Sequence, residues 1–188
     1  MSAAPRAALA LALGLVASAA AAQDGFVIDY DAVFARHAAE VERPAPGVEY
    51  LELPGPVILE RRGKRIRVAD QSAWGPAGCA LRRLVTAAAA VQSCPAQFTA
   101  EQRDRVAGQL LRGVDFFAET TVPRLTPEAR RTAMHTALSA ERARLALDCA
   151  DRDTAPLAFA AHIAEDSSLR RFDRIFETPR LPVTDPCR

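Results

Sequence analysis

Chemistry in this chain has few residues to start from: three histidines, four cysteines, one tryptophan and a cluster of basic side chains. His37 precedes Glu40 by three residues, and His162 precedes Glu165 by three. On a helix that spacing puts the ring and the carboxylate on one face. Such a pair could act as a general base with its orienting carboxylate, or as two ligands of a metal. A di-metal site of the helix-bundle kind needs the order Glu-x-x-His and further inward carboxylates. Here the order is reversed, His135 has no such partner, and His162 sits in an apolar stretch that suits a core histidine. No metal site is expected.

The serines give no stronger lead. Ser72, Ser93, Ser167 and Ser168 fall in loops or at helix starts, where serine serves the backbone; the last two fit the opening of a final helix. Asp115 beside Phe116 and Phe117 could be a carboxylate with a raised pKa, but Arg112 and Glu119 on the same segment point to a solvated ion-pair face. G-x-S-x-G, S-x-x-K, H-E-x-x-H and phosphate-binding glycine loops are all absent. No catalytic residue is assigned and no cofactor is expected.

Two features suit binding better than catalysis. Trp74 stands in the turn-rich stretch DQSAWGPAG (70–78), where a large ring can anchor a ligand or an interface. Arg61, Arg62, Lys64, Arg65 and Arg67 concentrate positive charge around an Arg-Gly turn and could meet an anionic envelope surface or a protein partner. Charge at such a place also protects a sheet edge from mispairing. A second basic group, Arg170, Arg171 and Arg174, alternates with Asp173 and Glu177 at spacings that favour pairing within one helix.

Cys79, Cys94, Cys149 and Cys187 make an even set with no C-x-x-C half-site, so structural disulfides fit better than a metal or redox centre. The run 80–92 (ALRRLVTAAAAVQ) has a helical apolar face. A continuous helix there separates Cys79 from Cys94 by about 22 Å, while a disulfide needs Cα atoms within about 7 Å. Each is therefore expected to bond Cys149 or Cys187, with the choice between those two left open.

The elements that would position these residues follow from periodicity and punctuation. Residues 29–42 read as a first helix capped by Asp29 and ended by Pro44 and Pro46. Residues 48–53 alternate as a strand, and 57–61 and 64–68 flank Arg62-Gly63 as a hairpin. The expectation there is a small antiparallel hairpin or three-stranded meander near residues 48–69. Thr99 with Gln102 forms a capping box for a long helix to about Thr120. Gly108 and Gly113 within it lower helix propensity and hint at close packing. Pro127 opens another helix running to about Ala150, with a break near Ser139 allowed. A short apolar helix (156–164), a last one from Ser168, and a proline-rich tail pinned by Cys187 complete the chain. The fold class is α+β, predominantly α, with five or six helices.

The first residues set the compartment. Arg6 precedes an apolar run, and Ala20 and Ala22 supply small residues before Gln23, the pattern of a signal peptide over residues 1–22. About sixteen apolar residues follow Arg6, short of the ~20 that a membrane span prefers. No cysteine at the cleavage point offers a lipid anchor. Cleavage leaves residues 23–188 as one disulfide-stabilised α-rich domain. It also removes Arg6, which brings the 24 basic residues level with the 23 acidic ones. A neutral chain argues against nucleic-acid binding, and no other segment could span a bilayer. The basic residues other than Lys64 are all arginine, which together with the many alanines reflects GC-rich codons more simply than a demand for guanidinium. The reading is a periplasmic or secreted, non-enzymatic protein that binds a ligand or an envelope protein partner. The rival is a hydrolase using a helix-borne histidine with a carboxylate. His37, His135 or His162 gathered with a carboxylate in an open hollow would favour the rival, and Trp74 packed in the core would remove the first.

Overall fold

The structure, a computed structural model, describes residues 25–151, 154–184 and 187. The expected signal peptide and its cleavage point lie outside the described residues. Among the described residues there are six α-helices and a four-stranded antiparallel sheet, an α+β architecture dominated by helix.

The chain begins with α1 (Tyr30–Arg36), capped by Asp29, whose Oδ1 accepts from the Ala32 amide at 2.9 Å. This helix is shorter than the 29–42 expected from the sequence. Beyond His37 the chain turns, and β1 (Glu42–Ala45) enters the sheet as an edge strand. Pro44 therefore marks an edge strand, where a missing N–H costs little, and not a helix stop alone. The other strands are β2 (Val48–Leu53), β3 (Val57–Arg62) and β4 (Arg65–Asp70), in the order 1-2-3-4. The sheet thus has one strand more than the meander expected.

Register decides which residues face inward. Leu51 lies opposite Leu59, which lies opposite Val68, and Leu53 lies opposite Val57. Leu51, Leu53, Val57 and Leu59 are buried against Val33 and Phe34 of α1 and against Leu181 and Val183 of the C-terminal tail. A small sheet is marginal alone; the helix and the tail together supply its cover.

The larger core is built around α2 (Ala77–Ser93). This helix is buried nearly all round, with Leu81, Leu84, Val85 and Ala87–Val91 inside, as a central helix must be. Around it pack α3 (Ala100–Thr120), α4 (Pro127–Leu145), α5 (Ala155–Ile163) and α6 (Asp166–Ile175). Alanines on α2 let these neighbours approach closely. The Thr99–Gln102 capping box forms in both directions, at 3.1 and 2.9 Å. Helix α4 passes through Ser139 without a break and ends at Ala146, which adopts a left-handed φ of 43°. Gly113 does meet close packing, since a Cβ there would sit 3.1 Å from the Phe176 ring; Gly108 faces open space.

Because α2 is continuous, Cys79 in its first turn and Cys94 just past its end cannot meet. Cys79 bonds Cys187 and Cys94 bonds Cys149, each with a Cα–Cα distance of 5.4 Å. The first bond holds the tail against the start of α2. There the Gly78 amide donates to the Val183 carbonyl at 3.1 Å, and a Cβ on Gly78 would lie 2.2 Å from the Pro182 oxygen. Only glycine allows the tail to cross so near.

Candidate functional site: the Trp74 cleft

The loop after β4 is tied down at every turn. The Asp70 Oδ1 accepts from the Ser72 amide at 2.8 Å, and the Gly75 amide donates to the Ser72 carbonyl at 3.2 Å. Gly75 closes the turn at φ 85°, a conformation that favours glycine. Trp74 lies at the apex of this short, stiff loop and is 48 % exposed. A large apolar ring so presented by a rigid loop is unusual for a residue with core-forming chemistry.

One residue explains the stiffness. Arg180 is buried in the tail, and its Nε donates to Asp70 Oδ2 at 2.7 Å. Its Nη2 donates to the Gly75 carbonyl at 2.9 Å, so a single guanidinium holds both ends of the Trp74 loop. Its Nη1 donates to the Ile175 carbonyl at 2.7 Å and the Thr178 carbonyl at 3.1 Å, which closes the C-terminus of α6. Sheet, loop and last helix are joined at one point.

Between that loop, α2, α5 and α6 lies a cleft of about 440 Å³, within the range of small-ligand sites. Its floor is apolar, formed by Phe159, Ile163, Phe172 and Ile175, and its walls carry Arg83, His162, Ser168 and Arg171. Also at Trp74, a more open hollow of about 830 Å³ is lined by Arg112, Arg170, Arg171 and Arg174 together with Asp173 and Glu177. Trp74 and Arg171 belong to both. The basic group of α6 is only partly used within its own helix. Arg174 pairs with Glu177 at 3.1 Å, while Asp173 pairs across to Arg112 on α3. None of the ion pairs among the described residues involves Arg170 or Arg171.

The histidines are dispersed over the fold. His37 pairs with Glu40 at 3.2 Å after α1, and His135 is exposed on α4. His162 does line an open cleft: its Nδ1 is 3.0 Å from Glu165 Oε2, and its Nε2 is 3.5 Å from the Ser168 hydroxyl. The imidazole and the carboxylate are both well exposed there, whereas Ser168 is buried. Asp115 forms an ion pair with Arg130 at the surface. Among the described residues no three His, Cys, Asp or Glu side chains converge to hold a metal.

The hairpin cations divide by strand face. Arg61 turns inward, donating to Glu49 at 2.5 Å and to Asp31 at 2.9 Å, with its guanidinium 4.2 Å from the centre of the Phe34 ring. Arg62, Lys64, Arg65 and Arg67 stay exposed. Arg62 pairs with Glu60 at 2.7 Å, and its carboxylate partner is thereby held below the usual glutamate range. Arg65 lies opposite Arg62 and Arg67 opposite Glu60. The hairpin tip and Trp74 sit at opposite ends of β4, about 20 Å apart along the strand, so the two groups of candidate residues form no common site.

Sequence reasoning does not single out Arg83 and Arg171, which line the cleft, or Arg180, which lies buried behind the Trp74 loop. A helical pairing pattern masks Arg171, and nothing local distinguishes Arg180 from its many fellow arginines. Comparison with protein-family models, with curated proteins and with solved structures finds no match to this chain.

Proposed function

We propose that residues 23–188 are an exported, disulfide-stabilised domain that works by binding a ligand in the Trp74 cleft, without catalysis. The observation that carries this reading is a half-exposed tryptophan held rigidly at the lip of a concave, apolar-floored cleft. Rigid aromatic groups bind well because little conformational freedom is lost when a ligand covers them. Export is supported by the signal-like residues 1–22 and by two disulfides that use all four cysteines. No helix among the described residues is long and apolar enough to cross a membrane.

Trp74 is the sole tryptophan, so its emission reports the cleft directly. The test is a screen of small organic molecules and short peptides, read by Trp74 emission and by melting temperature. A true ligand changes the emission saturably and raises the melting temperature, and loses most of its affinity in Trp74→Ala. A screen in which every stabilising compound acts equally on Trp74→Ala overturns the reading.

The hydrolase reading is favoured by one observation, the chain Ser168, His162, Glu165, of which the first two line the cleft. It requires Ser168 to be modified by a fluorophosphonate probe, with labelling lost in His162→Ala. Mass spectrometry showing an unmodified Ser168 after prolonged exposure removes it.

A further inference from the structure

We infer that the occupant of this groove is an extended acidic peptide segment of a partner protein, lying across Trp74 with carboxylates on Arg170 and Arg171. This rests on the cleft being the binding site and adds the chemistry of what enters it. The argument begins with charge. The chain as a whole is close to neutral, at a formal net charge of +1, yet the outer hollow at Trp74 carries four arginines against two carboxylates. The carboxylates near it are already engaged: Asp70 by Arg180, Asp173 by Arg112 and Glu177 by Arg174. Arg170 and Arg171 form no ion pair with a carboxylate among the described residues. Cations that a fold leaves unpaired beside a concave aromatic site complement an anion there.

Shape selects a peptide over a small anion. The inner cleft and the outer hollow share Trp74 and Arg171, so the two adjoin at the ring. A bare anion would use the arginines and leave the floor of Phe159, Ile163, Phe172 and Ile175 unused. An extended chain places successive side chains ~3.3 Å apart and on alternate sides. It can therefore drop one apolar side chain onto that floor while its acidic neighbours reach Arg170 and Arg171. The indole then covers the peptide backbone between them.

The test uses the disulfide-intact protein and two synthetic hexapeptides with a central leucine, one with flanking glutamates and one with flanking lysines. Isothermal titration calorimetry gives the affinity, including that of Trp74→Ala, which has no tryptophan left to emit; citrate serves as a small polyanion, and Arg170→Ala/Arg171→Ala is the variant. The two arginines make no ion pair among the described residues, so the variant should keep the wild-type melting temperature within about 2 °C. The glutamate peptide is expected to bind at least roughly tenfold more tightly than the lysine peptide, to weaken about tenfold in the double variant, and to weaken with added salt. Equal affinity for both peptides overturns the proposal, as does citrate binding as tightly as the glutamate peptide. If either of those outcomes occurs while a neutral compound from the wider screen binds in a Trp74-dependent way, the acidic-peptide assignment has failed and the cleft reading stands. If the glutamate peptide binds unchanged in Trp74→Ala, the cleft reading has failed as well.

Discussion

Arg180 and Asp70 lie 110 residues apart in sequence and meet at 2.7 Å with both side chains sealed from water. Two buried charges are costly unless every donor and acceptor is satisfied. Here Asp70 also accepts from Ser72, and Arg180 also serves three backbone carbonyls. The pair therefore fixes geometry more than it adds net stability. It holds the Trp74 loop, and through Ile175 the end of α6, in one arrangement.

Breaking the pair from either side leaves an uncompensated buried charge. Arg180→Ala is expected to lower the unfolding free energy by about 3–5 kcal/mol, measured by chemical denaturation followed with far-ultraviolet circular dichroism. Before unfolding, Trp74 emission should lose anisotropy because the loop loses both its anchors. A variant that keeps wild-type stability and anisotropy would show that Arg180 does not position the loop.

The two disulfides should contribute comparably large terms. Their separations are 108 residues for Cys79–Cys187 and 55 for Cys94–Cys149. Loop-closure entropy then predicts losses of about 5 and about 4 kcal/mol for the paired Cys→Ser variants. Peptide mapping without reductant should recover these two pairs alone. A Cys79–Cys94 peptide would contradict the continuous α2.

Helix α3 offers an internal comparison at its two glycines. Gly108→Ala meets open space, so it should stabilise by about 0.5–1 kcal/mol through helix propensity. Gly113→Ala brings the same gain but pushes a methyl group against Phe176, Leu81 and Leu84 at 3.1–3.3 Å. It should be less stable than Gly108→Ala by about 1 kcal/mol or more. Thermal unfolding of the two variants side by side decides this.

Acid should weaken one surface link in a predictable direction. The Arg144 guanidinium, together with the Thr86 hydroxyl, holds the Glu141 carboxyl below the usual glutamate range against the opposing effect of burial. A carboxyl depressed in the folded state contributes stability that is complete above its unfolded value of about 4.3 and is lost as pH falls through the folded value. Glu141→Gln should therefore cost roughly 1 kcal/mol at pH 7, allowing for solvent screening of the exposed Arg144. The cost should shrink toward zero as pH falls through the lowered folded-state value. Denaturation midpoints of both proteins at several pH values test this, and a difference independent of pH would refute it.

Much of the architecture was legible in local signals. The capping box at Thr99 and Gln102, the proline start at Pro127, the alternating strands and the apolar face of α2 are decided by neighbours a few residues apart, and each appears where its pattern lies. The length of α2 alone separated Cys79 from Cys94, so the sequence by itself directed the disulfides to the C-terminal part of the chain. What it could not settle was any choice made by distant partners. Whether Pro44 stops a helix or edges a strand depends on β2 lying beside it. Which of Cys149 and Cys187 joins Cys79 depends on where the tail crosses Gly78. Arg61 and Arg62 are neighbours in sequence, yet the pleat sends one inward onto Phe34 and the other outward. The same limit applies to the binding cleft. Trp74 could be picked out by its type and its turn-rich setting, but its rigidity comes from Arg180, and its basic surround from α2 and α6. Those elements meet only when burial of the two apolar cores folds the tail back over the sheet.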